Sequence, residues 1–401
     1  MKKMLSLAAM LAVISYASPA SAELKIGGDA STRLRGEFNN SETAAGVRTT
    51  NSDDLKFQYK VRLKASADLG DGYFFKTVIG NEELVAGSSP GWGTVAGNNG
   101  EKFQLEVSNF YLGRMMENSH YMVGRLPLNS FNNPIFDLAL YPVPGRINSL
   151  GSMVYAVDVP VFQYNYDRIF GLNYGTKVGN GDLNATLVVL DNHSAVENSG
   201  ATGDGLFNDG YALHLSYKTN IGDVTVEPQA LLLLTDGMGS TYQLVSPNTF
   251  GANVTIPVSK SKIGLSGFYT VCKDHLGGNT LYVPSVPATT PATYVPGTPA
   301  AANVDYSGYL LRVKGESGPV MAWIDYNRTK DSSTGTNAVQ ATYNNLFVWA
   351  QYKINVHESA MGTFSLTPTV RYRASGKDIV GIPGTDHNNQ LRGELYATVT
   401  F

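Results

Sequence analysis

The stretch DDLKFQYKVRLKASADL, residues 53–69, constrains the fold more than any other part of the chain. Leu55, Phe57, Tyr59, Val61, Leu63, Ala65, Ala67 and Leu69 alternate with Lys56, Gln58, Lys60, Arg62, Lys64, Ser66 and Asp68. A period of two held this long is an extended strand with one apolar and one polar face. It exceeds the usual length of a strand in a globular domain. Residues 24–38 repeat the pattern, with Leu24, Ile26, Leu34 and Phe38 on one face. Lys25, Asp29, Arg33, Arg35 and Glu37 fall on the other.

Further segments of this kind fall near 73–85, 102–116, 120–128, 168–177, 183–191, 208–219, 223–234, 248–257, 261–273, 303–315, 320–330, 341–354, 362–374 and 389–401. With the first two they make sixteen. Their connections alternate in length. Gly70-Asp71-Gly72, Asn180-Gly181-Asp182, Thr219–Gly222 and Ser317-Gly318-Pro319 carry tight-turn chemistry. Between them lie long polar connections at 39–52, 86–101, 192–207, 235–247, 274–302, 331–340 and 375–388. No segment is apolar enough for a membrane helix, and no long window shows a helical period. A soluble sandwich would bury its apolar faces in a core and use shorter strands. Rows such as Lys60-Arg62-Lys64 suit a wet lumen instead, with the apolar faces against lipid, where every sheet edge must be closed. The expected fold is all-β: a transmembrane antiparallel up-and-down barrel, short turns at one end and long loops at the other.

The ends of the sequence fit that architecture. Lys2 and Lys3, an apolar run to Tyr16 and the small-residue stretch Ala20-Ser21-Ala22 predict a cleaved export signal over 1–22 and a mature barrel over 23–401. Losing Lys2 and Lys3 takes the basic count from 30 to 28 against 33 acids, which excludes a strongly basic nucleic-acid binder. Cys272 is the single cysteine, so no disulfide or CxxC metal motif exists, and it reads as an inert strand residue. The last strand is QLRGELYATVTF, with Leu391, Leu395, Val399 and Phe401 on one face and Arg392 and Glu394 on the other. It is expected to pair with 24–38 and close the sheet.

In these features the chain resembles the outer-membrane porins of Gram-negative bacteria. The resemblance covers the whole chain in pattern and is thin in motif. It implies an outer-membrane location, contact with outer-membrane lipid, a homotrimer, and an assembly signal at Phe401, Val399 and Leu395 read by the barrel-assembly machinery. It also implies that the connection after the fifth strand, 129–167, folds into the barrel and narrows the pore. That connection is unusually apolar, with Phe131, Ile135, Phe136, Leu138, Leu140 and Tyr141. An open alternative reads 151–166 as two further short strands, which would make eighteen.

Alternation also supplies the pore lining. Arg33, Arg35, Lys56, Lys60, Arg62, Lys64, Arg371, Arg373 and Arg392 point inward on strands that become neighbours once the barrel closes. Asp29, Glu37, Asp68 and Glu394 dilute this basic wall. Asp137 and Asp158, with Asp167 beside the next strand, would face it from the constricting loop and set a transverse field. The expected function is passive diffusion of small hydrophilic solutes and ions, leaning toward anions. One rival is a sheath around a partner multihaem cytochrome, which needs 129–167 outside the lumen. Another is an outer-membrane hydrolase. His120, His193, His214, His275, His357 and His387 are scattered, and no HExxH or GxSxG occurs. No catalytic residue, metal or cofactor is expected.

Overall fold

The computed structural model describes residues 23–81, 92–95, 105–127, 132–136, 168–191, 210–234, 248–281, 300–332, 334–335 and 340–401. Residues 1–22, where a leader is expected, and most of 129–167 lie outside these residues. One antiparallel sheet contains every strand: β1 (Glu23–Glu42), β2 (Arg48–Gly70), β3 (Tyr73–Gly80), β4 (Gly93–Thr94), β5 (Glu106–Met115), β6 (Ser119–Pro127), β7 (Arg168–Val178), β8 (Gly181–Asp191), β9 (Gly210–Ile221), β10 (Val224–Leu233), β11 (Asn248–Val258), β12 (Ser261–Leu281), β13 (Ala300–Ser317), β14 (Val320–Asp331), β15 (Thr334–Gly335), β16 (Ala341–Tyr352), β17 (Ile354–Ser359), β18 (Gly362–Ile379) and β19 (Asp386–Thr400). β4 and β15 are two-residue pairings. β16 and β17 are one strand interrupted at Lys353, since both pair with β18 in sequence. Sixteen strands therefore make the wall.

The sheet closes on itself. β19 pairs with β1 from Asp29↔Thr400 to Glu42↔His387. The Gly28 N–H donates to the Phe401 carbonyl at 2.8 Å, and the Phe401 N–H donates back at 3.1 Å. The Phe401 ring lies over Gly28, where a Cβ would come within 2.9 Å of it. β6 pairs directly with β7, from Pro127↔Arg168 to Ser119↔Thr176. That pairing leaves no place for strands between them and settles the count at sixteen rather than eighteen.

Two faces follow from the alternation. Outward side chains on β1, β2, β18 and β19 are apolar and exposed, among them Leu34, Phe57, Val370 and Leu395. The run from Leu391 to Val399 matches the ~9–11 residues that a tilted strand needs to cross a bilayer. Aromatic rings mark both rims. Phe38, Tyr309, Tyr326 and Tyr372 sit at one, and Tyr73, Tyr352, Phe364 and Phe401 at the other. At the first rim the Tyr326 hydroxyl donates to Asn344 Oδ1 at 3.2 Å. The second rim carries the tight turns, where Gly222 and Gly318 adopt φ values of 60° and 54° that favour glycine.

The strand boundaries correct the sequence reading at the other rim. β1 and β2 pair up to Glu42↔Arg48, so the connection is 43–47 and not 39–52. β18 and β19 likewise leave only 380–385 of the expected 375–388, and β12 and β13 run into the expected loop at 274–302. The apolar alternation ends before the backbone pairing does, and residues such as Asn39 to Glu42 pair where both faces are polar. β3 errs the other way and stops at Gly80 instead of 85. The Asn81 side chain caps it, its Oδ1 accepting from the Val61 N–H at 2.5 Å. Residues 92–95 then take over the β2 edge through Gly93↔Tyr59 and Thr94↔Gln58. Only glycine fits at 93, since a Cβ there would lie 2.4 Å from the Tyr59 ring.

Candidate pore lining

Register brings the basic residues of four strands together on one inner wall. Arg33 lies opposite Tyr396 and Gln58, Arg35 opposite Glu394 and Lys56, and Arg392 opposite Glu37 and Arg371. Glu394 is the hub. Its carboxylate is 2.5 Å from Arg35 Nε, 2.7 Å from Arg371 Nε and 3.4 Å from Arg33 Nη1. The Tyr396 hydroxyl donates to Glu394 Oε2 at 2.7 Å and accepts from Arg33 at 3.1 Å and Arg371 at 2.5 Å. Arg392 Nε pairs with Glu37 Oε2 at 2.6 Å. Arg62 and Lys64 share Asp29, at 3.0 and 2.9 Å. Lys56 lies 3.3 Å from Asp54, and the Lys60 ammonium 6.0 Å from the Trp92 ring centre. Nearest the hub, five guanidinium groups (Arg33, Arg35, Arg371, Arg373 and Arg392) share two carboxylates.

Aromatic rings hold these cations in place. All three tryptophans of the chain stand beside an arginine. Trp92 lies 4.2 Å from the Arg33 guanidinium, Trp349 3.6 Å from Arg371, and Trp323 5.3 Å from Arg312. Trp323 and Trp349 stack at 4.6 Å between centroids. Arg312 forks onto Asp325 through Nε at 2.6 Å and Nη2 at 2.8 Å. Gln58 accepts twice from Arg33 and donates to Thr94 at 2.9 Å, which ties the 92–95 segment to the wall.

The opposite inner wall, on β6 to β13, is different. Leu126, Ile169, Val188, Leu231, Phe268 and Leu310 point inward and cluster around Ile135, which is fully buried. Ile135 belongs to a single 3₁₀ turn, Pro134–Phe136. Just before it, Asn133 donates to Gln229 Oε1 at 2.8 Å and accepts from Asn253 Nδ2 at 3.1 Å. The Lys314 ammonium donates to Asn132 Oδ1 at 2.5 Å. His214 also bonds Gln229, at 2.9 Å, and His120 bonds Asn173 at 3.0 Å. Among the described residues no group of His, Cys, Asp and Glu could hold a metal ion. Cys272 is buried on β12.

No protein-family model and no curated relative matches the chain. Solved structures do. The anion-selective porin from Comamonas acidovorans superposes with a TM-score of 0.51 at 10% identity, over 94% of this chain and 100% of that one. The chain has the fold of an outer-membrane porin. The outer-membrane channel DcaP of Acinetobacter baumannii aligns at 0.49 and 13% identity, over 96% of this chain and 99% of that one. A loop-deletion form of the Vibrio cholerae outer-membrane protein OmpT aligns at 0.47 and 10%, over 93% and 99%.

Within this porin fold, sequence reasoning placed Arg33, Arg35, Lys60, Arg62, Arg371, Arg373 and Arg392 on neighbouring strands, where they stand. Asp137 and Asp158, and Asp167 with them, lie outside the described residues. The reading missed the central position of Glu394 and Tyr396 and the tryptophan at each cluster. The parity of QLRGELY carried the first signal. The second was the scarcity of tryptophan, with two of the three falling at inward positions of neighbouring strands.

Proposed function

We propose that the chain is an outer-membrane porin, a passive channel for small hydrophilic solutes and ions that leans toward anions. The observation that carries this reading is the charged wall of β18, β19, β1 and β2, inside a closed barrel whose outer face is apolar. A lumen lined by fixed charge favours counter-ions, and guanidinium groups outnumber carboxylates around Glu394. Residues 129–167 form the constriction, with Asp137 and Asp158 facing the basic wall. The bonds from Asn132 and Asn133 to Lys314, Gln229 and Asn253 support an inward course for that connection. The same bonds speak against the cytochrome sheath, which needs an open lumen. Export through a leader at 1–22, assembly through Leu395, Val399 and Phe401, and a homotrimer complete the proposal, and it assigns no catalysis.

The test is single-channel recording in planar bilayers, for the full barrel and for a variant lacking 131–145. Stepwise conductance, larger steps after deletion, and a reversal potential of anion sign are expected. Cation preference would overturn the anion leaning. Absence of steps from both proteins would overturn the channel.

A further inference from the structure

At the rim opposite the tight turns, β18, β19, β1 and β2 carry three outward rows, one above the other. The lowest is Val370, Gly393, Gly36 and Leu55, paired in that order across the sheet. Val370 and Leu55 are 54% and 69% exposed. Nothing lies within 4 Å of a Cβ placed at Gly393, so the two glycines leave an open trough between those side chains. The middle row is Tyr372, Leu391, Phe38 and Asp53, and the top row holds Asn389, Asn40 and Asn51. These two rows line a cavity of about 410 Å³. Its walls are accessible, since Phe38, Leu391, Asn51 and Asp53 are all exposed. The inward neighbours of the top row are satisfied: Gln390 Nε2 donates to Asn39 Oδ1 at 2.6 Å, and Asn39 donates to Glu37 at 3.1 Å. The outward Asn51, Asp53 and Asn389 make no side-chain hydrogen bond among the described residues.

We propose that this cavity seats the sugar head of a glycolipid, with one acyl chain in the Gly36–Gly393 trough below it. Lipid covers the outer face of a membrane barrel, and the rows set which part of the lipid lies where. The glycines and apolar side chains below take a chain. The amides and the carboxylate above take hydroxyls, which both donate and accept. Phe38 and Tyr372, between them, offer an aromatic surface to the apolar face of a sugar ring. Phosphate head groups call for basic pockets, and among the described residues no lysine or arginine lines this one. Neighbouring strands lie ~4.8 Å apart, so Asn389, Asn40 and Asn51 span about 10 Å, the length of a disaccharide. The inference rests on the membrane placement of the barrel and not on conduction through it.

Dodecyl maltoside and dodecylphosphocholine share a chain and differ in the head, so they are the probes. The full barrel, purified in an amine-oxide detergent, is titrated with each, and retained molecules are counted by native mass spectrometry. Saturable retention of the maltoside is expected, with the phosphocholine held about tenfold more weakly, the worth of one good hydrogen bond. Asp53→Ala should weaken maltoside retention about tenfold or more, as for a hydrogen bond to a charged group. Asn51→Ala should weaken it about two- to tenfold. Gly393→Val places a side chain in the trough and should weaken it at least as much as Asn51→Ala. The barrel should still assemble, because that side chain meets no neighbour. Lys64→Gln, inside the lumen, should bind like wild type. Equal retention of both probes means that only the chain adheres, and overturns the proposal. Retention of neither means that water fills the cavity, and overturns it too. So does a maltoside curve unchanged by both Asp53→Ala and Gly393→Val. If Asp53→Ala does not assemble, Asn51→Ala and Gly393→Val carry the test. A maleimide should label Asn51→Cys in amine oxide, and the maltoside should protect it, while buried Cys272 stays silent. Protection without the maltoside would mean that a second copy of the chain covers the cavity, and overturns the proposal. Maltoside retention by a barrel that shows no conductance would sink the channel and keep the site. Conductance without retention would sink the site alone.

Discussion

The two inner walls of the barrel solve one problem in opposite ways. On β18, β19, β1 and β2 the inward residues are charged, and they satisfy one another through Glu394, Glu37 and Asp29. On β6 to β13 many inward residues are apolar, and they are satisfied only because another piece of chain covers them. Leu231 and Leu310 have no exposed surface, with Ile135 in the same cluster. The first wall can face water. The second behaves as a small globular core set inside the barrel. The difference teaches where the proposed function can sit: on the channel proposal, solutes pass along the wall that needs no cover.

The comparison breaks hardest at Glu394. Its side chain is fully buried, and three arginines lie within ion-pair distance. Glu394→Gln removes the one carboxylate they share. Leaving buried charges uncompensated costs about 3–5 kcal/mol. The urea midpoint of the folded barrel, followed by heat-modified gel mobility, should fall accordingly. An unchanged midpoint would mean that lumen water, not Glu394, neutralises the cluster.

The opposite wall breaks at Ile135. Ile135→Ala should loosen the covering turn by about 2–5 kcal/mol, the usual cost of truncating a buried isoleucine. Sixteen paired strands do not depend on that turn, so the barrel should remain assembled. Conductance should rise while the reversal potential stays nearly constant. Asn133→Ala, which loses bonds to Gln229 and Asn253, should act the same way more weakly, at about 0.5–1.5 kcal/mol per bond. Unchanged single-channel steps in both variants would show that the turn does not obstruct the pore.

These walls were not equally legible in the sequence. The charged wall was, because Lys60-Arg62-Lys64 and Arg33-Arg35 alternate with apolar residues and two-residue parity assigns the inward face. Strand number was legible for the same reason. The apolar wall was not. In VTVEPQALLL, residues 224–233, Leu231 and Leu233 face inward while Leu232 faces lipid. A strand apolar on both faces has no alternation to read. Pairing partners were hidden too, because they depend on register between distant segments. Nothing local says that Tyr396 meets both Arg33 and Arg371. The strand extensions past the apolar alternation were lost where polar residues occupy both faces, as at Asn39 and Asn40.

The smallest effect separates structural from functional charge within the basic wall itself. Lys64 and Arg62 both hold Asp29, but unequally. Arg62 Nε bonds both carboxylate oxygens, at 3.2 and 3.0 Å. The Lys64 side chain is 49% exposed, so water screens its share of the pair. Lys64→Gln leaves Asp29 paired with Arg62 and should cost less than about 1 kcal/mol. Yet it removes a positive charge that faces the lumen, so the reversal potential should move toward cations. The shift should be largest at low salt, because ionic screening shortens to about 3 Å at 1 M. Arg35→Gln should show the converse, a marked stability loss from a guanidinium whose side chain is 3% exposed and 2.5 Å from Glu394. If Lys64→Gln destabilised the barrel as much as Arg35→Gln, the wall would be one continuous network. A stability loss confined to Arg35 would place selectivity in the exposed cations and rigidity in the buried ones.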